Sequence, residues 1–185
     1  LEEIKTKIIA PTLKTMAAEG KPFSGCLYAG LMLTPNGPKV VEFNCRFGDP
    51  ETQSVLQTFS GDFLQMLIDA SSNGLNGEYI HANGVVSATV VAASGGYPDA
   101  FEKGMEISGL EVSQDDIKIF HAGTFERDSK IYTSGGRVLG ITSIEKTGSL
   151  KKAIDKCYHR ITSVAFQGIY YRKDIAHKGL RHEGE

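Results

Sequence analysis

The chain has 185 residues, 41% of them hydrophobic, and a formal net charge of −2. That suffices for one domain or two small ones, and the near-neutral balance argues against nucleic acid or an anionic membrane as partner. No apolar run approaches the roughly 20 residues a membrane-spanning helix needs, and no apolar stretch of a secretory signal opens the chain, so a cytoplasmic globular protein is expected.

The N-terminal run places Ile4, Ile8, Ile9, Leu13 and Met16 at helical spacing, with Pro11 predicting a kink or two short pieces. Gly20 and Pro22 end it. The chain starts at Leu1 inside this helix, without an initiator Met, which suggests a piece of something longer. Cys26 to Leu33 is apolar throughout, as in a strand buried on both faces. Asn36-Gly37 is a hairpin signal, and Lys39 to Arg46 reads as the antiparallel return strand. Asp49 and Pro50 read as the N-cap and first position of a helix whose apolar face runs from Val55 to Ile68, broken near Ser60-Gly61. Residues 71–83, rich in Ser, Asn and Gly, with Asn73-Gly74 and Asn76-Gly77, form the expected junction between two units, 1–82 and 83–185.

In the second unit, Gly84 to Ala93, Ile117 to Gly123, Lys130 to Thr133 and Arg137 to Ile144 read as strands, with Gly95-Gly96-Tyr97-Pro98 as a turn. Ser149 can cap a helix running to about Phe166, and the mixed-charge tail from His177 to Glu185 is expected to be poorly ordered unless docked. Strands with appended helices make the fold class α+β. Cys26, Cys45 and Cys157 are an odd number without CxxC spacing, so reduced, buried thiols are expected rather than a disulfide framework or a zinc site.

The candidate chemistry lies in Val40-Val41-Glu42-Phe43-Asn44-Cys45-Arg46-Phe47-Gly48-Asp49-Pro50-Glu51. On a strand, Glu42, Asn44 and Arg46 share one face while Val41, Phe43 and Cys45 share the other. Glu and Asn offer hard oxygen ligands for Mg²⁺, and Arg is a fixed cation for phosphoryl oxygens. A solvated strand face can carry the same residues, with Arg46 paired to Glu42 or Asp49. The Gly48-Asp49-Pro50-Glu51 corner opens a helix whose free N–H groups can receive an anion. Gly135-Gly136-Arg137 combines close backbone approach with a fork of donors, as a phosphate contact would, although a plain hairpin corner explains the glycines equally well. His121 reads as structural, and Lys103, Arg172 and Lys173 as solvated charges. The absence of GxxxxGK[ST], HExxH and GxSxG disfavours P-loop, zincin and α/β-hydrolase chemistry.

The stretch EFNCRFGDPETQ, with PTLKTMAAEGKPFSGCLYAGLMLTPNGPKV before it, resembles the ATP-grasp region of the phosphoribosylamine–glycine ligase (glycinamide ribonucleotide synthetase) family. ASGGYP at 93–98, FHAGT at 120–124, GGRVLGITS at 135–143 and YRKDI near 175 resemble that family's C-terminal domain in the same order. The resemblance implies the second half of an ATP-grasp domain, an antiparallel sheet with helices, followed by a small α+β C-terminal domain. It also implies Glu42 and Asn44 as ligands of Mg²⁺ or Mn²⁺ beside ATP, and Arg46 as the group stabilising the transferring phosphoryl. Gly48, Asp49, Pro50 and Glu51 would face glycine and 5-phosphoribosylamine, with Asp49 or Glu51 holding an ammonium or guiding a proton. Gly135, Gly136 and Arg137 would face the ribose 5-phosphate.

The implied activity joins glycine to 5-phosphoribosylamine through glycyl phosphate in de novo purine biosynthesis. Another ATP-grasp carboxylate–amine ligase, or a module inactive by itself, are the alternatives. The family's N-terminal domain and earlier ATP-grasp subdomain have no counterpart in the chain, so the isolated chain is not expected to catalyse the full reaction. In some relatives the ligase is fused to further purine-pathway domains.

Overall fold

A computed structural model describes residues 1–72, 74–111 and 114–183. Asn73, in the expected junction, and the last two tail residues lie outside the described residues. The chain divides into two compact units, one of residues 1–48 and 61–81, the other of residues 49–60 and 82–185. Both mix helices with antiparallel strands, and the fold class is α+β.

The first unit is helical from Glu2 to Ala18: α1 (Glu2–Ile4), a wider π turn (Lys5–Ile9) and α2 (Ala10–Ala18). A kink or two short helical pieces were expected at Pro11, and α1 and α2 are two α pieces with the π turn between them. Pro11 sits in the first turn of α2, where its missing N–H costs little, and the π turn just before it absorbs the change of register. Gly20, at φ +74°, ends the helix with a pair of bonds, Gly20 N–H to the Ala17 carbonyl and Lys21 N–H to the Met16 carbonyl.

Strands β1 (Tyr28–Thr34) and β2 (Gly37–Asn44) pair antiparallel around a Pro35–Asn36 loop, with Gly37 at φ +86° already paired to Thr34. The register shifts at Gly30/Leu31, leaving Val41 as an extra residue on β2. Burial on both faces was expected for the Cys26–Leu33 strand and burial of the apolar face for its partner, and neither is found: Leu33 is 77% exposed and Met32 is exposed on β1, and Val41 (66%) and Phe43 are exposed on β2. Two strands alone have no neighbouring sheet to cover them, and among the described residues of this unit only Gly48 is buried.

The chain then enters the second unit for α3 (Glu51–Val55) and a 3₁₀ turn (Leu56–Thr58). It passes back through β3 (Phe59–Gly61) into α4 (Phe63–Ser71), capped by the Asp62 carboxylate accepting from Gln65 N–H, and leaves again through β4 (Ile80–Ala82). The single broken helix expected over 51–68 is thus two helices separated by a short strand. The reason is local: Gly61 adopts φ +124°, and a Cβ there would meet the Tyr79 carbonyl at 2.1 Å, a packing only glycine permits.

The rest of the second unit holds β5 (Val86–Ala93), β6 (Glu106–Ile107), β7 (Ile117–His121), β8 (Thr124–Arg127), β9 (Lys130–Thr133), β10 (Arg137–Glu145), α5 (Leu150–Ile161) and α6 (His177–Glu183). One antiparallel sheet has the order β5-β10-β7 and a second the order β6-β9-β8. Helix α5 is capped by Ser149, as expected, but ends at Ile161 rather than near Phe166. It buries Ala153, Ile154, Cys157, Arg160 and Ile161, the i, i+1, i+4, i+7, i+8 stripe of a helix laid on a sheet. Facing it are Ala88, Val90 and Ala92 of β5 with Leu139 and Ile141 of β10, paired as Ala92↔Leu139 and Val90↔Ile141. Alternation sends Thr89, Val91, Gly140 and Thr142 to the opposite face, and α3 packs against the same two strands. The tail, expected to be poorly ordered unless docked, forms α6 over its described part, with Leu180 packed against the core. Of the three thiols, only Cys157 is buried as expected; Cys45 is exposed and Cys26 half-buried, and no disulfide links them.

Candidate functional site

In the first unit, β2 brings Glu42 and Asn44 onto one face, where Asn44 Nδ2 donates to Glu42 Oε1 at 3.0 Å. A carboxylate and an amide oxygen two residues apart fit a hard divalent cation whose remaining ligands come from water and phosphate. Among the described residues no cluster of three His, Cys, Asp or Glu side chains forms, so this pair would hold a metal only together with a bound substrate. Arg46 lies two residues beyond the end of β2, not on its face, and its Nη1 donates to the Phe47 carbonyl at 2.9 Å. Strand alternation therefore cannot aim Arg46, and its reach comes from the turn after Asn44.

In the second unit the Asp49–Pro50 turn departs from the expected cap. Pro50, not Asp49, occupies the N-cap position of α3 and provides no side-chain cap. Instead Asp49 is gripped from two sides. Arg137 Nη2 lies 3.1 Å from Asp49 Oδ2, Arg137 Nη1 donates to the Asp49 main-chain carbonyl at 2.8 Å, and Gln53 Nε2 donates to Asp49 Oδ1 at 3.0 Å. Asp49 and Arg137, separated by 88 residues, are direct partners.

The Gly135-Gly136 pair that precedes Arg137 is fixed through its carbonyls: Ser94 N–H donates to Gly136 O at 2.8 Å and Ser94 Oγ to Gly135 O at 2.9 Å. Neither glycine has a positive φ, so close packing is what requires them. A Cβ on Gly136 would lie 2.1 Å from Tyr97 Cδ2, and Gly135 rests on the Gly123 backbone. Arg137 then opens β10 opposite Ala93.

A cavity of ≈ 430 Å³ lies in this unit against the half-buried Thr89 and Val91, with Pro50, Arg137, Tyr97 and Tyr170 among its walls. Tyr170 is placed by paired main-chain bonds with Ala93, and Tyr158 of α5 anchors the following segment by donating to the Arg172 carbonyl and accepting from Ile175 N–H. Arg172 is exposed, as expected, and borders the cavity; it grips Asp174 through two bonds of 2.8 and 2.6 Å, which hold the Asp174 carboxyl below its ordinary value. Sequence reasoning missed Gln53, Tyr97 and Tyr170. The ETQ that follows GDP was the only signal for Gln53, since helical spacing puts it one turn after Asp49. His121 bonds Thr124 Oγ1 at 3.0 Å within its own turn, and Lys103 lies over the Phe101 ring at 5.9 Å. No helix of the described residues is long and apolar enough to cross a membrane.

Comparison with known proteins puts this arrangement in context. The phosphoribosylglycinamide synthetase ATP-grasp (A) domain matches residues 1–52 and the C domain of the same synthetase matches residues 87–178. A phosphoribosylamine–glycine ligase of Caldanaerobacter subterraneus is 46% identical over 176 residues, covering 95% of this chain and 42% of its own length. The trifunctional purine biosynthetic protein adenosine-3 of Gallus gallus is 41% identical over 182 residues, covering 97% of this chain and 18% of its own length. The crystal structure of phosphoribosylamine–glycine ligase from Thermotoga maritima superposes with a TM-score of 0.80 at 35% identity, over 94% of this chain and 42% of that one. The chain thus spans less than half the length of these relatives. Two domains of one synthetase follow each other along it in order, and the chain belongs to the phosphoribosylglycinamide synthetase family.

Proposed function

We propose that the chain is part of an ATP-dependent ligase that joins glycine to 5-phosphoribosylamine, giving glycinamide ribonucleotide, ADP and phosphate in cytoplasmic de novo purine biosynthesis. The observation that carries the reading is the ordered match to the A and C domains of this synthetase over residues 1–52 and 87–178. On this reading residues 1–82 are the later ATP-grasp subdomain and residues 83–185 the C-terminal domain.

A glycine carboxylate is a poor acyl donor. Taking the γ-phosphoryl group of ATP turns one of its oxygens into a good leaving group, as glycyl phosphate. The amine of phosphoribosylamine then attacks the acyl carbon and phosphate departs. Glu42 and Asn44 are the residues that would hold Mg²⁺ or Mn²⁺, which when bound neutralises charge on the nucleotide phosphates. Arg46 offers a cation to the transferring phosphoryl group. Gly48, Asp49, Pro50 and Glu51 face the amino-acid and amine substrates, and Gly135, Gly136 and Arg137 the ribose 5-phosphate. The cavity beside Arg137, with its aromatic walls and half-exposed guanidinium, supports an anionic, ring-bearing occupant.

The rest of the relatives' length supplies the missing N-terminal region on this reading, and some relatives carry further purine-pathway activities in one polypeptide. ADP release is the test, measured with ATP, Mg²⁺, glycine and fresh phosphoribosylamine. The chain alone is expected to be silent, to turn over glycine when the N-terminal region is supplied, and to lose that turnover on Glu42→Ala. Equal turnover by the Glu42→Ala variant would remove the metal assignment, and turnover independent of glycine would remove the substrate assignment.

A further inference from the structure

We propose that Gln53 is a positioning residue that, with Arg137, holds Asp49 through both carboxylate oxygens, so that Asp49 anchors the substrate loop. This rests on the ligase reading above and assigns the loop's residues within it.

The geometry carries the inference. Asp49 Oδ1 accepts from Gln53 Nε2, and Oδ2 faces Arg137 Nη2. The other nitrogen of the same guanidinium, Nη1, reaches the Asp49 main-chain carbonyl. The Asp49 side chain and its peptide are therefore tied to β10 by one Arg and to α3 by one Gln. A fork of two donors from one guanidinium also fixes orientation as well as distance.

Gln53 shows what the arrangement costs. Its Oε1 is buried and has no donor among the described protein groups. Rotating the amide by half a turn would not help, because Oε1 would then face Asp49 Oδ1, acceptor against acceptor. A buried orphan acceptor is unfavourable, and natural structures keep few of them. Here it is tolerated by the contact that holds Asp49. Gln53 packs over β10 at Gly140, where an added Cβ would meet its Cγ at 3.9 Å, an ordinary contact.

The test uses the full-length ligase containing this segment. Steady-state kcat/KM for phosphoribosylamine is measured from pH 5.5 to 8.5, together with thermal unfolding. Gln53→Met keeps the shape, removes the donor and removes the orphan acceptor. It should unfold no earlier than wild type yet lose on the order of ten- to hundredfold in kcat/KM, the range of a lost charge-assisted hydrogen bond. Gln53→Glu places a second carboxylate against Asp49 Oδ1. Relative to wild type at the same pH, it should be nearly as active at low pH, where the pair shares one proton, and fall away as pH rises. In the double variant Asp49→Asn with Gln53→Glu, donor and acceptor are exchanged, and activity should recover at least tenfold over Asp49→Asn alone. Activities of Gln53→Met and Gln53→Glu within twofold of wild type would overturn the clamp. A double variant as inactive as Asp49→Asn would overturn it too, by showing that the Asp49 carboxylate itself is required in the chemistry. Absence of glycine-dependent ADP release from the wild-type enzyme would instead mark a failure of the ligase reading.

Discussion

Replacing Gly136 by alanine tests whether the Gly-Gly corner serves packing. An alanine Cβ would stand 2.1 Å from Tyr97 Cδ2, 2.6 Å from Cε2 and 3.0 Å from Cγ. Ordinary carbon–carbon contact is about 3.5–4.0 Å, so the ring must retreat by more than about 1 Å. The backbone imposes no penalty of its own, because Gly136 does not adopt a positive φ. The whole cost is thus the displaced ring, about 1–3 kcal/mol as for other overpacked sites. Tyr97 borders the cavity beside Arg137, so its retreat also narrows the space available to a ligand. Urea unfolding of wild type, Gly136→Ala, Tyr97→Ala and the double variant measures the coupling. The two substitutions should be strongly non-additive, with Tyr97→Ala relieving at least about 1 kcal/mol of the damage. A Gly136→Ala protein with an unchanged midpoint, or strictly additive losses, would refute the packing argument and return the glycines to a direct role in ligand contact.

Two further outcomes are expected. Glu145 is 5% exposed, and hydrogen bonds from Lys156 and from Thr147 N–H hold its carboxyl down at about 2 from an ordinary value of 4.5. Its folded value is lower than its unfolded one, so its contribution is complete above about pH 4.5 and is lost as pH falls towards 2. Unfolding followed across that window should show a falling midpoint that Lys156→Met flattens; an equally steep fall in that variant would exclude the pair as the cause. Leu139 is fully buried beneath α5, and Leu139→Ala should cost about 2–5 kcal/mol in chemical denaturation, whereas a loss below about 1 kcal/mol would mean that β10 is not the centre of the core.

Much of this protein was legible in its residues because the signals are local. Gly20 after a helical run specifies a helix stop, and Ser149 before an amphipathic stripe specifies a cap, through bonds spanning only a few residues. The alternation that puts Glu42 and Asn44 on one face is a property of any extended chain, and their bond at 3.0 Å follows from it. The ordered GDPE, FHAGT and GGRVL segments identified the family without any coordinates. Three things needed the folded chain. An apolar run cannot say whether a neighbouring strand will cover it, which is why Leu33 and Val41 were expected inside and stand exposed. A helix-start pattern cannot reveal that a carboxylate has a better partner, and Asp49 gives up the cap for Arg137, 88 residues away. The cavity likewise joins residue 50, β5, β10 and the segment after residue 169, which no local pattern connects. Sequence periodicity encodes which face a side chain takes; only the pairing of β5 with β10, and the packing of α3 across them, decides what that face meets.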